Sequence, residues 1–541
     1  MLLDFSFANF LSFRDKVTIS MVATALRDRK ADIGDATFGI GEDSAISLNR
    51  CCTLFGANVS GKSNVINEKY SHKFFKIFKL SLYLHLRNLR FGNHRFATIF
   101  NTMRFFDRTE EIASLKEIQE LSKNNAQFTV VTGRRRIGKT HLVWKAYEDQ
   151  QILYFFVARK AESDLCSDYL LEIENKLGLP IMGKVERFSE LFEYLMKLSV
   201  ERPITLFIDE FQEFFKVNKS VYSDMQRIWD KYHTVSHINL IVCGSIYSMM
   251  TKIFKDKKEP LYNRQTRFMS IKPFTPAVLK EIMAEYNPDY TPEDLLALYS
   301  FTGGVAKYVQ LLIDAGATTK TKMLNQIIKS DSIFLGEGKA ILIEEFGKDY
   351  GIYFSILSAI ARGKTSRSDI ENIVGKEIGG YLTKLENEYE VISKKQPIFE
   401  KSSTKNVRYT IEDNFFTFWF RFIYKYNYML EIENYDAVKT IINRDYETFS
   451  GLMLERYFKR ILIESKKYTR IGSWWDRKGE NEIDIVAENE LDQQALFIEV
   501  KRNIKNYNPE LLNSKIAAFT RATGEFKNYN VIQKGVSLED I

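Results

Sequence analysis

Short apolar runs that end at glycine or at acidic residues are the clearest pattern along this chain of 541 residues. Three such runs are AQFTVV before a glycine-rich loop, PITLFI before two carboxylates, and INLIVC before Gly244 and Ser245. Near-continuous apolar runs of this length are typical of strands that are buried on both faces of a parallel sheet. The pattern predicts an α/β fold with functional side chains at the carboxyl ends of its strands.

The first part of the chain has a separate pattern. Residues 2–20 predict two short strands around a turn, and the apolar run CCTLF then leads into a phosphate-binding (Walker A) loop. The nucleotide-binding candidates of this loop include Gly56, Gly61, Lys62 and Ser63. Residues 1–66 resemble the beginning of a RecF/SMC-like ATPase of the ABC type, but no signature motif or Walker B strand follows for this loop. We therefore predict that residues 1–68 are a truncated fragment, joined to a protein that starts near Met103.

A basic segment, residues 69–102, contains no acidic residue and has a weak helical period. A basic amphipathic helix on a membrane or on nucleic acid is one interpretation, and a poorly structured joint is the one that we favour. From Met103 on, MRFFDRTEEIASLKEIQELS predicts a short strand, followed by a helix that is capped near Asp107 with Glu110 and Glu111 in its first turn.

A second and complete Walker A loop, G-x-x-x-x-G-K-T, lies between the strand AQFTVV and a helix. Its glycines let the backbone wrap phosphates with N–H groups pointing inward, and the helix N-terminus adds partial positive charge. Lys139 would reach the β- and γ-phosphates of ATP, and Thr140 would bind Mg²⁺. The predicted nucleotide-binding residues of this loop are Gly133, Arg134, Arg135, Arg136, Ile137, Gly138, Lys139 and Thr140.

About 70 residues later, the run PITLFI ends in Asp209 and Glu210. A buried parallel strand brings both carboxylates to the edge where α/β proteins bind ligands. Asp209 would hold Mg²⁺, and Glu210 would orient and activate the attacking water. An acidic helix start without a nucleotide role is the alternative, which the preceding Walker A loop disfavours.

From about Met103 to its end, the chain resembles the archaeal-type ATPase family of AAA+ NTPases. The motifs that carry the resemblance are R-R-x-G-K-T, F-I-D-E-F-Q, a strand ending in G-S, P-L-Y-x-R, and T-G-G at Thr302. It implies that Ser245 senses the γ-phosphate, and that Arg264 is an arginine finger, the alternative being a surface arginine. A finger acting across a subunit boundary implies a homo-oligomer. Val305 departs from the pattern, because a proline is common there.

Helix, turn, helix and a basic hairpin over residues 346–412 predict a winged helix, whose second helix, near 377–387, would enter a DNA groove. A winged helix that binds protein is the alternative. The segment DNFFTFWFRFIYKYNYML predicts a core helix that bridges domains, and a base-stacking platform is the less favoured interpretation.

The last section carries a second candidate chemistry. Asp484 lies on one predicted strand, while Glu499 and Lys501 lie on one face of the next strand. Such a pair of carboxylates would bind Mg²⁺, with Lys501 beside them for phosphodiester hydrolysis. The spacing D-x14-E-V-K, preceded by Glu455 on a helix, resembles the PD-(D/E)XK restriction-endonuclease-like fold, which is typical at the end of this ATPase family. A solvated, charged sheet face without activity is the alternative.

The formal net charge of +7 suits contact with phosphate backbones, and four unpaired cysteines fit a cytoplasmic setting. No apolar stretch is long enough for a membrane span. We predict an ATPase whose cycle controls a DNA-engaging, nuclease-like module, or alternatively a nucleotide-switched scaffold that binds proteins. The predicted parts are an ATPase-like fragment 1–68, a joint 69–102, an AAA+ core 103–275, a helical lid 276–345, a winged helix 346–412, a connector 413–450 and a nuclease-like α/β domain 451–541.

Overall fold

The computed structural model describes four short strands before residue 50 and then residues 102–179, 183–347, 350–401 and 403–541. The chain divides into two compact units, Met1–Asn101 and Thr102–Ile541. In the first unit, β1 pairs with β2 and β3 with β4, both antiparallel. Their bounds are Asp4–Phe7, Val17–Ser20, Thr37–Ile40 and Ile46–Asn49. The two strands predicted within residues 2–20 are confirmed.

The first Walker A loop, with Lys62 and Ser63, lies outside the described residues, as does the basic segment up to residue 101.

The second unit begins with a parallel five-stranded sheet in the order β6-β7-β8-β5-β9. Every residue of β5 and β8 is buried, as expected for strands covered on both faces. The predicted parallel α/β sheet is therefore confirmed. The strands are β5 Gln127–Thr132, β6 Leu153–Phe156, β7 Ile204–Asp209, β8 Ile238–Cys243 and β9 Arg267–Ser270.

Seven helices of the described chain accompany this sheet. They are α1 Thr109–Ser122, α2 Lys139–Ala146, α3 Glu162–Leu177, α4 Phe188–Glu201, α5 Phe214–Val217, α6 Ser220–Tyr232 and α7 Tyr247–Lys255.

The start of α1 differs from the prediction in two respects. Residues 103–108 form no strand, and no side chain caps the helix at Arg108. Both Asp107 and Arg108 have positive φ, 59° and 74°, so the chain turns sharply where an extended strand was expected. Contacts with a distant helix replace the strand: Arg104 forms ion pairs with Glu281 and Glu285.

A helical region follows the sheet. Its helices are α8 Pro276–Tyr286, α9 Pro292–Thr302, α10 Ala306–Asp314, α11 Lys320–Ile327 and α12 Ile333–Phe346. Thr291 caps α9 through a reciprocal capping box with Asp294, which satisfies backbone donors at that end. All nine residues from Asp294 to Thr302 are buried, so α9 is the central helix of this region.

Three helices and a two-stranded antiparallel sheet come next, in the order that the sequence predicted. They are α13 Tyr350–Ala361, α14 Arg367–Val374, α15 Gly379–Asn387, β10 Ile392–Lys395 and β11 Arg408–Ile411. Helix α15 starts two residues later than predicted, because Ile378 at its N-cap is not helical.

The aromatic-rich segment is core. It forms α16 Asn414–Phe418, a π-helix Trp419–Tyr424 and α17 Asn427–Glu431. Six of its rings are buried, which leaves them unable to stack on bases: Phe415, Phe416, Phe418, Trp419, Phe420 and Phe422. The base-stacking interpretation is therefore wrong for these residues.

The chain ends in a mixed four-stranded sheet in the order β12-β13-β14-β15, with only the last pair parallel. Along the chain these elements follow the order α18-β12-β13-β14-α19-β15. Their bounds are α18 Tyr435–Glu464, β12 Arg470–Trp475, β13 Glu482–Asn489, β14 Gln494–Val500, α19 Pro509–Thr523 and β15 Asn530–Val536. None of the helices in the described ranges is long and apolar enough to span a bilayer.

Candidate functional site

The loop between β5 and α2 has a backbone that requires glycine at both ends. Gly133 has φ 143° and Gly138 has φ 96°, values that side chains with a Cβ rarely adopt. A Cβ at Gly133 would also stand 2.7 Å from the carbonyl oxygen of Ile271. The loop therefore curls closely against the strand end beside it and presents its backbone to the helix N-terminus.

The side chain of Lys139 lies within this loop, and the side chain of Thr140 lies beside the end of β7. The buried Lys139 donates hydrogen bonds from Nζ to the carbonyl oxygens of Gly133 at 2.9 Å and Arg134 at 3.0 Å. Thr140 Oγ1 donates to Asp209 Oδ2 at 2.8 Å. A hydroxyl and a carboxylate brought together in this way are the hard oxygen ligands that Mg²⁺ prefers, so the two residues fit that ion.

Asp209 has a neighbour that the sequence did not indicate. The hydroxyl of Tyr154, on the adjacent strand β6, donates to Asp209 Oδ2 at 3.3 Å, and Asp209 Oδ1 accepts from the backbone N–H of Glu210 at 2.9 Å. Burial raises the pKa of Tyr154 well above its usual range, which keeps its proton in place. Parallel pairing of β6 with β7 creates this contact, which no local motif contains.

Glu210 is held in a left-handed backbone conformation with φ 55°. Its Oε2 accepts hydrogen bonds from Gln212 Nε2 at 2.6 Å and from Ser245 Oγ at 2.8 Å. The structure thus brings together the predicted residues Glu210 and Ser245, from the ends of neighbouring strands. Gln212 belongs to the F-I-D-E-F-Q motif, yet its spacing alone assigns it no role.

The three consecutive arginines of the loop all form ion pairs with carboxylates from later parts of the chain. Their partners are Asp413 for Arg134, Glu344 at 2.6 Å for Arg135, and Glu337 for Arg136. The neighbouring loop residue, Ile137, is buried in the core. The motif predicts only a role in nucleotide binding for these arginines, because their partners lie some 200 residues or more away along the chain.

Arg134 is the most enclosed of the three arginines. Its guanidinium lies 4.1 Å from the ring centre of Phe416 and 5.4 Å from that of Phe415. Burial lowers the pKa of Arg134, while the acidic neighbours oppose that shift. The start of α16 is therefore attached directly to the phosphate-binding loop.

The T-G-G turn also contacts the loop. Gly303 and Gly304 have φ of 60° and 72°, and a Cβ at Gly304 would collide with the backbone of Phe274. Just after the turn, the backbone N–H of Lys307 donates to the carbonyl oxygen of Arg136 at 3.2 Å. Val305, the departure from the family pattern, is buried in the core.

Arg264 lies beside α6. Its Nε and Nη2 donate to the carboxylate of Asp230 at 3.3 Å and 3.1 Å, and Nη1 donates to the carbonyl oxygen of Tyr262. These contacts hold the arginine against α6 of the same chain, where its side chain is 29% exposed.

The four residues predicted for the C-terminal site come together. Asp484 Oδ2 accepts a 2.7 Å hydrogen bond from the backbone N–H of Val500, and Lys501 Nζ lies 2.7 Å from Glu499 Oε1. A second lysine, Lys515 of α19, donates to both oxygens of Glu499 at 2.9 Å and 3.1 Å. The sequence pattern did not indicate Lys515, because it lies on a helix outside the E-V-K motif.

Glu455 reaches the same site from α18. Burial raises the pKa of Glu455 well above its usual range, and the charge of Asp484 raises it further. Burial likewise raises the pKa of Asp484, to which the charge of Glu499 adds. These oxygen donors suit Mg²⁺, since a cation would relieve the repulsion. Among the described residues, however, no group of three His, Cys, Asp or Glu side chains is arranged to hold a metal ion.

Comparison with known proteins gives two family matches. Residues 105–312 match an ATPase domain found predominantly in Archaea, and residues 419–510 match a family of archaeal and bacterial proteins of unknown function. An uncharacterized protein of Methanocaldococcus jannaschii is 33% identical over 411 residues, which are 73% of this chain and 87% of that protein.

Solved structures with a similar chain path include the Walker-type ATPase of Pyrococcus abyssi. It has 20% identity and a TM-score of 0.45, and the match covers 59% of this chain and 96% of that one. The ORC2 protein of Aeropyrum pernix, in its ADPNP–ADP complexes, has 15% identity and a TM-score of 0.41, with 65% and 97% of the two chains covered.

Proposed function

Since this chain belongs to the archaeal ATPase family, we propose that its ATP cycle controls a DNA-engaging module with a metal-dependent, nuclease-like end. The protein binds ATP and is an ATPase. The observation that carries the proposed coupling is the set of three ion pairs between consecutive arginines of the phosphate-binding loop and carboxylates of the C-terminal half.

In the proposed ATPase reaction, Lys139 leaves the loop carbonyls and binds the β- and γ-phosphates. Thr140 and Asp209 would hold Mg²⁺, which would supply charge neutralisation at the phosphates. Glu210 accepts a proton from the attacking water, and Ser245 orients that carboxylate.

The coupling step starts at the loop arginines. Phosphates compete with carboxylates for guanidinium groups, because both anions present oxygen acceptors to the same donors. Two partners, Glu337 and Glu344, lie on α12, and the third, Asp413, is the N-cap of α16. A loop that closes on phosphate would therefore pull on both ends of the segment that contains α13 to α15.

A further contact ties α12 to the other side of the nucleotide site. Glu345 accepts hydrogen bonds from the backbone N–H of Tyr247 at 2.9 Å and from Ser248 Oγ at 2.7 Å, at the start of α7. That start follows Ser245 directly in the chain. Helix α12 thus contacts both the phosphate-binding loop and the strand end that would sense the γ-phosphate.

We assign DNA engagement to α13–α15 with the β10–β11 hairpin, as a winged helix. Exposed cations suit phosphate contacts here: Lys384 on α15 and Lys394 on β10. Cleavage is assigned to Asp484 and Glu499 as Mg²⁺ ligands, with Lys501 and Glu455 beside them. The order α18-β12-β13-β14-α19-β15 supports the assignment, because it carries Glu455 on the first helix and Asp484 and Glu499 on two paired strands.

The first experiment measures cleavage of plasmid and linear DNA with Mg²⁺ or Mn²⁺, with and without ATP. We expect wild type to cleave, Asp484→Ala to be inactive, and Lys139→Ala to lose the ATP dependence. DNA binding should weaken steeply as salt concentration rises, because phosphate contacts release counterions. Absence of cleavage under every condition, or binding that is insensitive to salt, would contradict the proposal.

Coupling is tested at a residue outside both sites. Glu344→Gln removes the partner of Arg135 and should abolish stimulation of ATP turnover by DNA while basal turnover persists. Glu285→Gln, which breaks a surface ion pair with Arg104, is the matched control. Equal stimulation in both variants would separate the ion pairs from coupling.

A second candidate function, a nucleotide-switched scaffold that binds proteins, is favoured by one observation. Two lysines already pair with Glu499, so that carboxylate is satisfied without a metal ion. In that case a protein partner, and not DNA, would stimulate ATP turnover. Comparing the two stimulations in one assay distinguishes the candidates.

A further inference from the structure

The surroundings of Glu210 contain a glutamine that no motif explains. Gln212 is fully buried and lies in the 3-10 helix Phe211–Glu213, directly after β7. Its Nε2 donates to Glu210 Oε2 at 2.6 Å and also reaches Ser245 Oγ at 3.5 Å. Within the described chain, the side-chain donors to this carboxylate therefore converge on a single oxygen, Oε2, and leave Oε1 to accept from water.

Burial of Gln212 is costly. Its Oε1 is buried without a hydrogen-bond partner among the described residues. Such an oxygen lowers the free energy of unfolding, and a methionine of similar size would avoid that cost. A polar side chain kept there at this cost points to a use of its other end, Nε2, on Glu210.

The strand beside Glu210 makes room for this glutamine. A Cβ at Gly244, at the end of β8, would stand 2.5 Å from Gln212 Oε1 and would also collide with Met250. Gly244 does not have positive φ, so space is the reason for glycine here. The G-S strand end thus serves Glu210 twice, because Ser245 donates to it and Gly244 admits Gln212.

Glu210 needs such support because its backbone is strained. A non-glycine residue at φ 55° is held in a sparsely populated region, which persists only when surrounding contacts fix it. Two donors on Oε2 set the rotation of the carboxylate as well as its position. A carboxylate that is free to rotate would present the correct oxygen to water for only part of the time.

We propose that Gln212 is a positioning residue for ATP hydrolysis, which fixes Glu210 Oε2 so that Oε1 faces the attacking water. In that step the water oxygen forms a bond to the γ-phosphorus, and the bond from that phosphorus to the β–γ bridging oxygen breaks. The water proton passes to Glu210 Oε1, and ADP and inorganic phosphate leave.

The test compares Gln212→Met with Gln127→Met in the full chain. Gln127 is also buried in the central sheet, and its side-chain oxygen lacks a hydrogen-bond partner in the part of the chain that the structure describes. It lies at the far end of β5 from the phosphate-binding loop. We expect Gln212→Met to lower kcat by about 10- to 100-fold, the effect of losing a hydrogen bond to a charged group. Its Kd for a fluorescent ATP analogue should stay within about two-fold of wild type. Gln127→Met should retain wild-type kcat.

A double variant separates positioning from packing. Gln212 acts through Glu210, so Gln212→Met should lower kcat little further in the Glu210→Gln background. Losses that multiply in the double variant, or a Gln212→Met enzyme with wild-type kcat, would overturn the proposal.

Gln212→Glu supplies a readout that does not depend on packing. Burial beside the Glu210 carboxylate should raise the pKa of the introduced carboxyl, which donates only while it is protonated. Turnover should therefore fall as pH rises through that pKa, while the turnover of wild type persists. A pH profile that follows wild type would equally overturn the proposal.

Discussion

The nucleotide site and the C-terminal acidic site both contain carboxylates beside lysines, but they balance charge in opposite ways. At the nucleotide site, Asp209 and Glu210 each accept hydrogen bonds from neutral donors, Thr140, Tyr154, Gln212 and Ser245. At the C-terminal site, Glu455 and Asp484 are half-buried, and burial raises the pKa of each, to which the charge of Asp484 adds at Glu455 and the charge of Glu499 adds at Asp484. The first pair of carboxylates is therefore held by donors from its own strands and loops, whereas a bound cation would relieve the repulsion at the second site.

The largest expected effect separates the two sites completely. Lys139→Ala should lower ATP turnover by at least about 100-fold, because the transferred phosphoryl group loses its main cation. Release of inorganic phosphate measures this turnover. Lys145→Ala, which removes a half-buried lysine of α2 that pairs with Glu148, should have no effect. The melting temperature of Lys139→Ala should depend on pH in the same way as that of wild type, because the C-terminal carboxylates are unchanged.

The next effect tests whether the nucleotide site is complete in one subunit. Arg264→Ala should lower ATP turnover by about 10-fold or more while binding of an ATP analogue is preserved, as expected for an arginine finger. Arg267→Ala, which breaks the contact with Glu117, is the control. Unchanged turnover in Arg264→Ala would remove both the finger and the argument for an oligomer.

A smaller effect concerns the acidic site alone. A raised folded-state pKa means that the folded protein keeps the proton of Glu455 to higher pH than the unfolded chain. The resulting stability is complete below the ordinary pKa of glutamate and is lost as pH rises through the raised value. Glu455→Gln should therefore unfold less readily than wild type at about pH 9, by about 1–3 kcal/mol, and should match it near pH 4.

Melting temperatures measured across that pH range check this prediction. Glu447→Gln, which changes an exposed glutamate of the same helix, should follow wild type throughout. A Glu455→Gln curve parallel to wild type would contradict the repulsion between Glu455 and Asp484, and with it the contrast between the two sites.

The last variant is expected to leave ATP turnover unchanged. Lys62→Ala should leave ATP turnover unchanged if the first Walker A loop is a remnant. Phosphate release from Lys62→Ala and Lys139→Ala, measured side by side, assigns the turnover to one loop. Activity that is lost in Lys62→Ala would show that the nucleotide site described here is not the sole source.

Local spacing was enough to predict the parts of the nucleotide site that lie at strand ends. Gly133, Lys139, Asp209 and Ser245 all follow apolar runs, and parallel pairing necessarily brings such ends to one edge. The prediction of a strand before α1 was wrong. The apolar residues of MRFF suggest a strand, but the left-handed backbone of Asp107 and Arg108 turns the chain there.

Partners across long distances in the chain could not be predicted. Nothing near Arg134 indicates that Asp413 pairs with it, and nothing in the E-V-K motif indicates Lys515. Gln212 is the last residue of the F-I-D-E-F-Q motif, but its role depends on the space that Gly244 leaves at the end of another strand. Such contacts are set by tertiary packing, which a single sequence does not contain.

Helix α18 has one more consequence. Its 30 residues form one continuous helix about 45 Å long. Tyr446 contacts Phe301 of α9 and Tyr457 contacts Tyr299 of α9, so α9 packs against α18 on both sides of Glu455. A displacement of α9 would therefore move the part of α18 that carries Glu455, without any intervening loop to absorb the motion. The nucleotide site and the C-terminal acidic site would then be coupled mechanically, through aromatic packing between α9 and α18.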